Sequence, residues 1–248
     1  MAGVALIMRI SLPRLKDLPL LAVLGFFAVS LHHIALNYGQ QGVSAGAASV
    51  LAQSTPLFST LLAHFALKDR VNGWQWICVL CGLLGAAVVV TGDRGLGGFD
   101  AHGLLILLAA LSWSLYFALQ KHYSHRYDGL TMVCYTIWSG TVLLLVYFPG
   151  LWSEVQNASN SANWAVLVLG IFPSALAYLA WAYVLAQSNV SRASISLYLI
   201  PPTAMLMASL VLNERPSTMV IAGTVIVLTS VLALNLEPSK TAVPAEDA

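Results

Sequence analysis

The sequence predicts an all-α polytopic membrane protein with eight transmembrane helices. Three observations predict it. Of 248 residues, 58% are hydrophobic and 8% charged, with a mean hydropathy of +0.80, whereas soluble domains carry about 25% charge. The apolar residues fall into runs near the ~20 residues that a helix needs to cross a hydrocarbon core about 30 Å thick. A stretch of the chain is also written twice, 145 residues apart.

Apolar runs bounded by charge, proline or glycine place the spans at about 18–38, 44–67, 73–92, 101–121, 129–149, 163–186, 191–212 and 217–236. Met1–Met8 is apolar but short and lacks a leading basic region, so it does not read as a signal peptide. The connections "GDRGLGGFD" (Gly92–Asp100) and "SEVQNASNSAN" (Ser153–Asn163) read as short polar loops, and the tail 237–248 as a disordered cytoplasmic segment. Nine basic residues (Arg9, Arg14, Lys16, Lys68, Arg70, Lys121, Arg126, Arg192, Lys240) fall on one side and two (Arg94, Arg215) on the other. This asymmetry puts both termini in the cytoplasm, as expected for an inner-membrane protein with an even number of spans.

Without a gap, residues 37–70 lie on 182–215 with eight identities in 34 positions, among them Ala48/Ala193, Ser49/Ser194, Pro56/Pro201 and Arg70/Arg215. Asp69/Glu214 is a conservative match. The copies are five spans apart and so cross the membrane in opposite directions. Inverted repeats of this kind mark secondary transporters, whose substrate site lies near the midplane between the repeats. Residues 1–92 then form a first, incomplete repeat of three spans and a stub, and residues 101–236 a second of five spans. The expected architecture is an N-terminally truncated form of a 5+5 inverted-repeat ten-helix transporter fold, lacking the first helix and most of the second.

Several features resemble the EamA-type permeases of the drug/metabolite transporter superfamily. The second and seventh spans end in a proline followed by an acid–arginine pair: Pro56 with Asp69-Arg70, and Pro201 with Glu214-Arg215. "LSWSLYFALQKH" (Leu111–His122) is similar to the sixth-helix pattern of that family, and a glycine-containing span follows each acid. The resemblance implies ten helices, cytoplasmic termini and transport, often export, of small metabolites such as amino acids.

Polar groups inside a span need partners or a wet cavity. Ser49, Gln53, Pro56, Thr60 and His64 share one helical face, matched in the other copy by Ser194, Tyr198, Pro201, Met205 and Ser209. Proline removes an N–H and clashes one turn back, freeing the carbonyls of Ala52 and Leu197. Pro56, Pro201 and Pro202 are therefore candidate hinges. The competing explanation is close helix packing through small and hydroxyl residues. A second stripe joins His33 and Asn37. Trp113, Tyr116, Tyr178 and Trp181 add apolar bodies with polar tips, which suit an organic solute better than a bare ion. The candidate substrate-binding set is His33, Asn37, Ser49, Gln53, Trp113, Tyr116, Tyr178, Trp181, Ser194 and Tyr198.

No Asp or Glu lies well inside a span, which favours a neutral or zwitterionic solute, with proton coupling through His33 as the alternative. Asp69-Arg70 and Glu214-Arg215 read as helix-end anchors. Cys78 and Cys81 form a lone CxxC with no second pair, so no metal or cofactor is expected. No nucleophile–base constellation points to an intramembrane enzyme, and no basic tract to nucleic acid. The expected partners are the bilayer, a small-molecule solute and a second copy in a homodimer. The other reading that stays open is a truncated, self-assembling chain without transport of its own.

Overall fold

The computed structural model describes residues 13–65, 68, 71–92, 101–123, 127, 129–172 and 199–236. These residues are helical and form no strands. In chain order they give α1 (Leu15–Gln40), α2 (Ala45–Ala52), α3 (Thr55–Phe65), α4 (Gly73–Gly92), α5 (Ala101–Tyr123), α6 (Gly129–Leu144), α7 (Leu151–Asn157), α8 (Asn160–Ile171), α9 (Ile200–Val211) and α10 (Thr218–Leu236). Among them α1, α4 and α5 are long and apolar enough to cross a membrane unaided, while the 160–171, 200–211 and 218–234 segments are shorter apolar helices. The chain divides into two compact units: Met1–Leu36 with Leu115–Ile200, and Asn37–Ser114 with Pro201–Ala248.

In the first unit, α1 packs on α6 through small residues and hydroxyls. Ser30 Oγ donates to the Gly140 carbonyl at 3.0 Å, and Ser139 Oγ to the Leu21 carbonyl at 2.7 Å. Phe26–Leu31, which contains Ser30, is wound as a π-helix, a form that recurs at functional sites. Asp17 is buried at the start of α1, where it accepts a 2.6 Å hydrogen bond from Tyr127 Oη. The expected polar loop 153–163 is instead largely helical. α7 leaves the preceding helix at 77° after Gly150, which has φ +96°, and Ser159 Oγ accepts from Ala162 N–H to cap α8. Leu151 and Trp152 just before the expected polar connection, and Val155 within it, supply the apolar residues of α7.

In the second unit, α4 and α10 form the principal helix pair. Gly85 lies against Ile226 and Val227, Gly223 against Val89, and Gly92 against Met219. The contacts advance along α4 as they retreat along α10, so the two helices run antiparallel. Glycine is required at the crossing, because a Cβ on Gly223 would lie 2.8 Å from the Gly85 carbonyl oxygen. The expected span 44–67 is two helices, α2 and α3, separated at Gln53–Ser54. Pro56 sits in the first turn of α3, where its missing N–H has no intrahelical partner to lose.

Helix boundaries follow the 145-residue offset. α3 and α9 begin at Thr55 and Ile200, and α4 and α10 at Gly73 and Thr218. The residues just before α4 and α10, Asn72 and Ser217, both cap through their side chains. Lys68 (φ 57°) and Asn213 (φ 55°), also 145 apart, are the two non-glycine residues in the left-handed region among those described.

Candidate functional site

The α2–α3 break is the best-defined polar feature on the face selected from the sequence. The Gln53 and Ser54 N–H groups donate to the Val50 and Leu51 carbonyls at 3.0 Å each, tightening the end of α2. The Ala52 carbonyl, expected to be freed by Pro56, instead accepts a 2.9 Å hydrogen bond from Thr55 Oγ1. That expectation is corrected: the Ala52 carbonyl is left over because α2 ends there, and a hydroxyl one residue before the proline satisfies it. Ser114 of α5 donates to the Thr55 carbonyl at 2.8 Å and to the Ala110 carbonyl at 2.9 Å, tying α5 to the break. Ser54 Oγ is fully buried with no hydrogen-bond partner among the described residues.

Of the candidates in this unit, Ser49 is half-buried and donates to the Gly46 carbonyl at 2.6 Å, within its own helix. Gln53 is half-buried at the break, and its side chain makes no hydrogen bond among the described residues. Asn37 is exposed on α1 and Trp113 half-buried on α5, next to Ser114. Pro56 is half-buried, Pro201 buried and Pro202 exposed, the last two in the first turn of α9. In the other unit, His33 is exposed, with its ring centroid 5.1 Å from that of His32, and Tyr116 is buried beside Phe117. Tyr178, Trp181, Ser194, Tyr198 and the Leu197 carbonyl lie outside the described residues. Among the described residues, no cluster of His, Cys, Asp and Glu could hold a metal, and Cys78, Cys81 and Cys134 form no disulfide.

Sequence reasoning missed Ser54, Thr55 and Ser114, and it underestimated Glu214. The Glu214 carboxylate reaches the start of α2, accepting from Ala45 N–H at 3.0 Å and Gly46 N–H at 3.3 Å. It is an anchor, as its place at a helix end indicated, but it anchors a helix other than its own. The signal was present in the repeat, which pairs Glu214 with Asp69. A cavity of about 590 Å³ borders this contact, lined by Ser209, Asn213, Glu214, Arg215, Pro216 and Ile221.

Apolar membrane-length helices define a polytopic membrane protein, and a helix broken beside a proline with a polar face along it is the kind of segment that transporters place at their solute path. The chain belongs to the EamA-like transporter family, whose model matches residues 1–91 and 102–236. It is 37% identical over 236 residues to "Uncharacterized transporter YdfC" of Bacillus subtilis (strain 168), covering 95% of this chain and 77% of that protein. It is 33% identical over 223 residues to a "Probable terminal-alkyne amino-acid exporter" of Streptantibioticus cattleyicolor, covering 90% of this chain and 75% of that protein. A solved crystal structure superposes with a TM-score of 0.58 over 95% of this chain and 83% of its own, at 18% identity, a likeness of fold. The chain is a multi-pass membrane transporter of the drug/metabolite superfamily.

Proposed function

We propose that the protein is a secondary transporter that exports small neutral or zwitterionic organic metabolites, amino acids among them, by alternating access between two inverted repeats. The observation that carries this is the relation between α4 and α10. They begin 145 residues apart, as the sequence repeat does, and pack antiparallel. Antiparallel copies of one unit supply two near-equivalent packings, one open to each side of the membrane. The repeats are taken as 1–92 and 101–236; the family model matches 1–91 and 102–236.

The inner membrane and cytoplasmic termini belong to the same reading, the orientation supported by nine basic residues on one side against two on the other. Amino acids as the solute class are supported by the relative that carries that name and by the sparse charge of the spans. Within the substrate path, Gln53 is the residue with most to offer: it lies at the helix break with both amide groups available. Efflux of a preloaded radiolabelled amino-acid mixture from proteoliposomes tests the reading. Gln53→Leu is expected to lower efflux at least tenfold at unchanged reconstitution. Equal efflux from Gln53→Leu and wild type would remove the proposed site, and no efflux from wild type of any amino acid tried would remove the solute class.

A further inference from the structure

We propose that Glu214 is a positioning residue for transport: its carboxylate holds α2 by its N-terminus and releases it as α2 turns about Gln53–Ser54. The proposal rests on the transport reading above and concerns a residue to which that reading gives no role. The first turn of a helix leaves its N–H groups without intrahelical acceptors. At α2 they are met by side chains: Ala45 and Gly46 by the two Glu214 oxygens, and Ala47 by Ser44 Oγ at 3.2 Å. A carboxylate is suited to this place, because its charge faces the positive end of the helix dipole and its hydrogen bonds are charge-assisted.

Glu214 is aimed by its own backbone. α9 ends where Asn213 turns into the left-handed region, and Glu214 N–H then donates back to the Ala208 carbonyl at 3.2 Å. Asparagine is among the few residues that enter this region at little cost. The chain therefore leaves α9 in a fixed direction, with the carboxylate directed at a helix 168 residues earlier in the sequence.

Packing buries Ala47, Ala48, Val50 and Leu51 of α2, and the tether holds its remaining, N-terminal end. α2 has only eight residues and is separated from α3 by a turn, so it does not inherit its position from a longer helix. It carries Ser49 and ends at Gln53, so whatever fixes α2 fixes those groups. The contact is only part-buried and borders the 590 Å³ cavity, so the carboxylate is not locked in by packing. The sequence writes the same elements a second time. At the 145-residue offset Asn189 lies on Ser44, both capping residue types, and Asp69 lies on Glu214.

The test uses the full chain in lipid nanodiscs and in proteoliposomes. Hydrogen exchange is followed over Ala45–Ala52 and, as an internal control, over α4. In Glu214→Gln, exchange in α2 is expected to quicken about five- to tenfold, the effect of losing a good cap, with α4 unchanged. Glu214→Asp, which keeps the charge, is expected to fall between Gln and wild type. The Gln variant is also expected to change turnover more than the half-saturating solute concentration, because it alters the motion of α2 rather than the groups that touch solute. Unchanged α2 exchange in a Gln variant that retains α4 protection and still transports would overturn the tether and leave transport standing. A wild-type protein that moves no solute would overturn transport, while the exchange measurement would still report on the tether by itself. If the Gln variant does not fold, the Asp variant decides: α2 exchange equal to wild type overturns the proposal.

Discussion

The starts of α4 and α10 occupy equivalent positions in the repeat and are fastened differently. Before α4, Asn72 and Gln75 cap each other: Gln75 N–H donates to Asn72 Oδ1 at 2.8 Å, and Asn72 N–H to Gln75 Oε1 at 3.0 Å. This capping box uses two residues of one turn. Before α10, Ser217 accepts from Val220 N–H at 3.2 Å and also donates to the Gly92 carbonyl at 2.7 Å, the end of the neighbouring helix. Three residues before Ser217, Glu214 reaches across to α2. The repeat thus preserves where the helices begin, through left-handed residues and N-caps in register, while side-chain choice gives one end of this unit ties between helices. Under the proposed alternating access, backbone symmetry would make two conformations comparable in energy, and local side chains would decide which is held.

The largest expected effect breaks the helix pair itself. Gly223→Leu would drive side-chain atoms into Val89 and the Gly85 carbonyl and is expected to cost about 3 kcal/mol or more, read as a large fall in the thermal midpoint of purified protein. Gly170→Leu is the contrast: among the described residues a Cβ there meets nothing within 4 Å, and the change should stay within about 0.5 kcal/mol. Next come the two caps. Ser217→Ala loses a cap and a bond between helices, about 2 kcal/mol in all. Asn72→Ala is expected near 1 kcal/mol. Equal losses in thermal unfolding would mean that the Ser217–Gly92 bond adds nothing. Of similar size is Thr55→Val, which strips the Ala52 carbonyl of its donor and is expected to cost about 1 kcal/mol. Smallest is Ser49→Ala, whose bond is internal to α2; its stability should move by less than about 0.5 kcal/mol, so a loss of efflux from this variant would report on solute contact.

Much of this was legible in the sequence. The span 73–92 matches α4 residue for residue, 217–236 misses the start of α10 by one position, and 101–121 ends two short of α5. Long, uniformly apolar runs bounded by charges leave little freedom. The 129–149 span was harder, because Phe148-Pro149-Gly150 interrupts an apolar pattern that resumes at Leu151. The break at Gln53–Ser54 was half legible: proline marked the neighbourhood, but Thr55 and Ser114 decide which carbonyls are left over. Hydrogen bonds between helices distant in sequence, such as Glu214 to Ala45, have no local pattern. Only the duplicated acid hinted that the position does more than end a helix.

The central claim is that this chain contains two copies of one unit crossing the membrane in opposite directions, and Lys68 and Asn213 offer its most direct test. Both are exposed, both are left-handed, and they lie 145 residues apart. In a background with Cys78, Cys81 and Cys134 replaced by alanine, Lys68→Cys and Asn213→Cys would each be labelled with a membrane-impermeant maleimide in vesicles of known sidedness. The expected result is labelling from opposite faces, Lys68→Cys from the cytoplasmic side and Asn213→Cys from the other. Labelling of both from the same face would contradict the inverted repeat and the transport reading built on it.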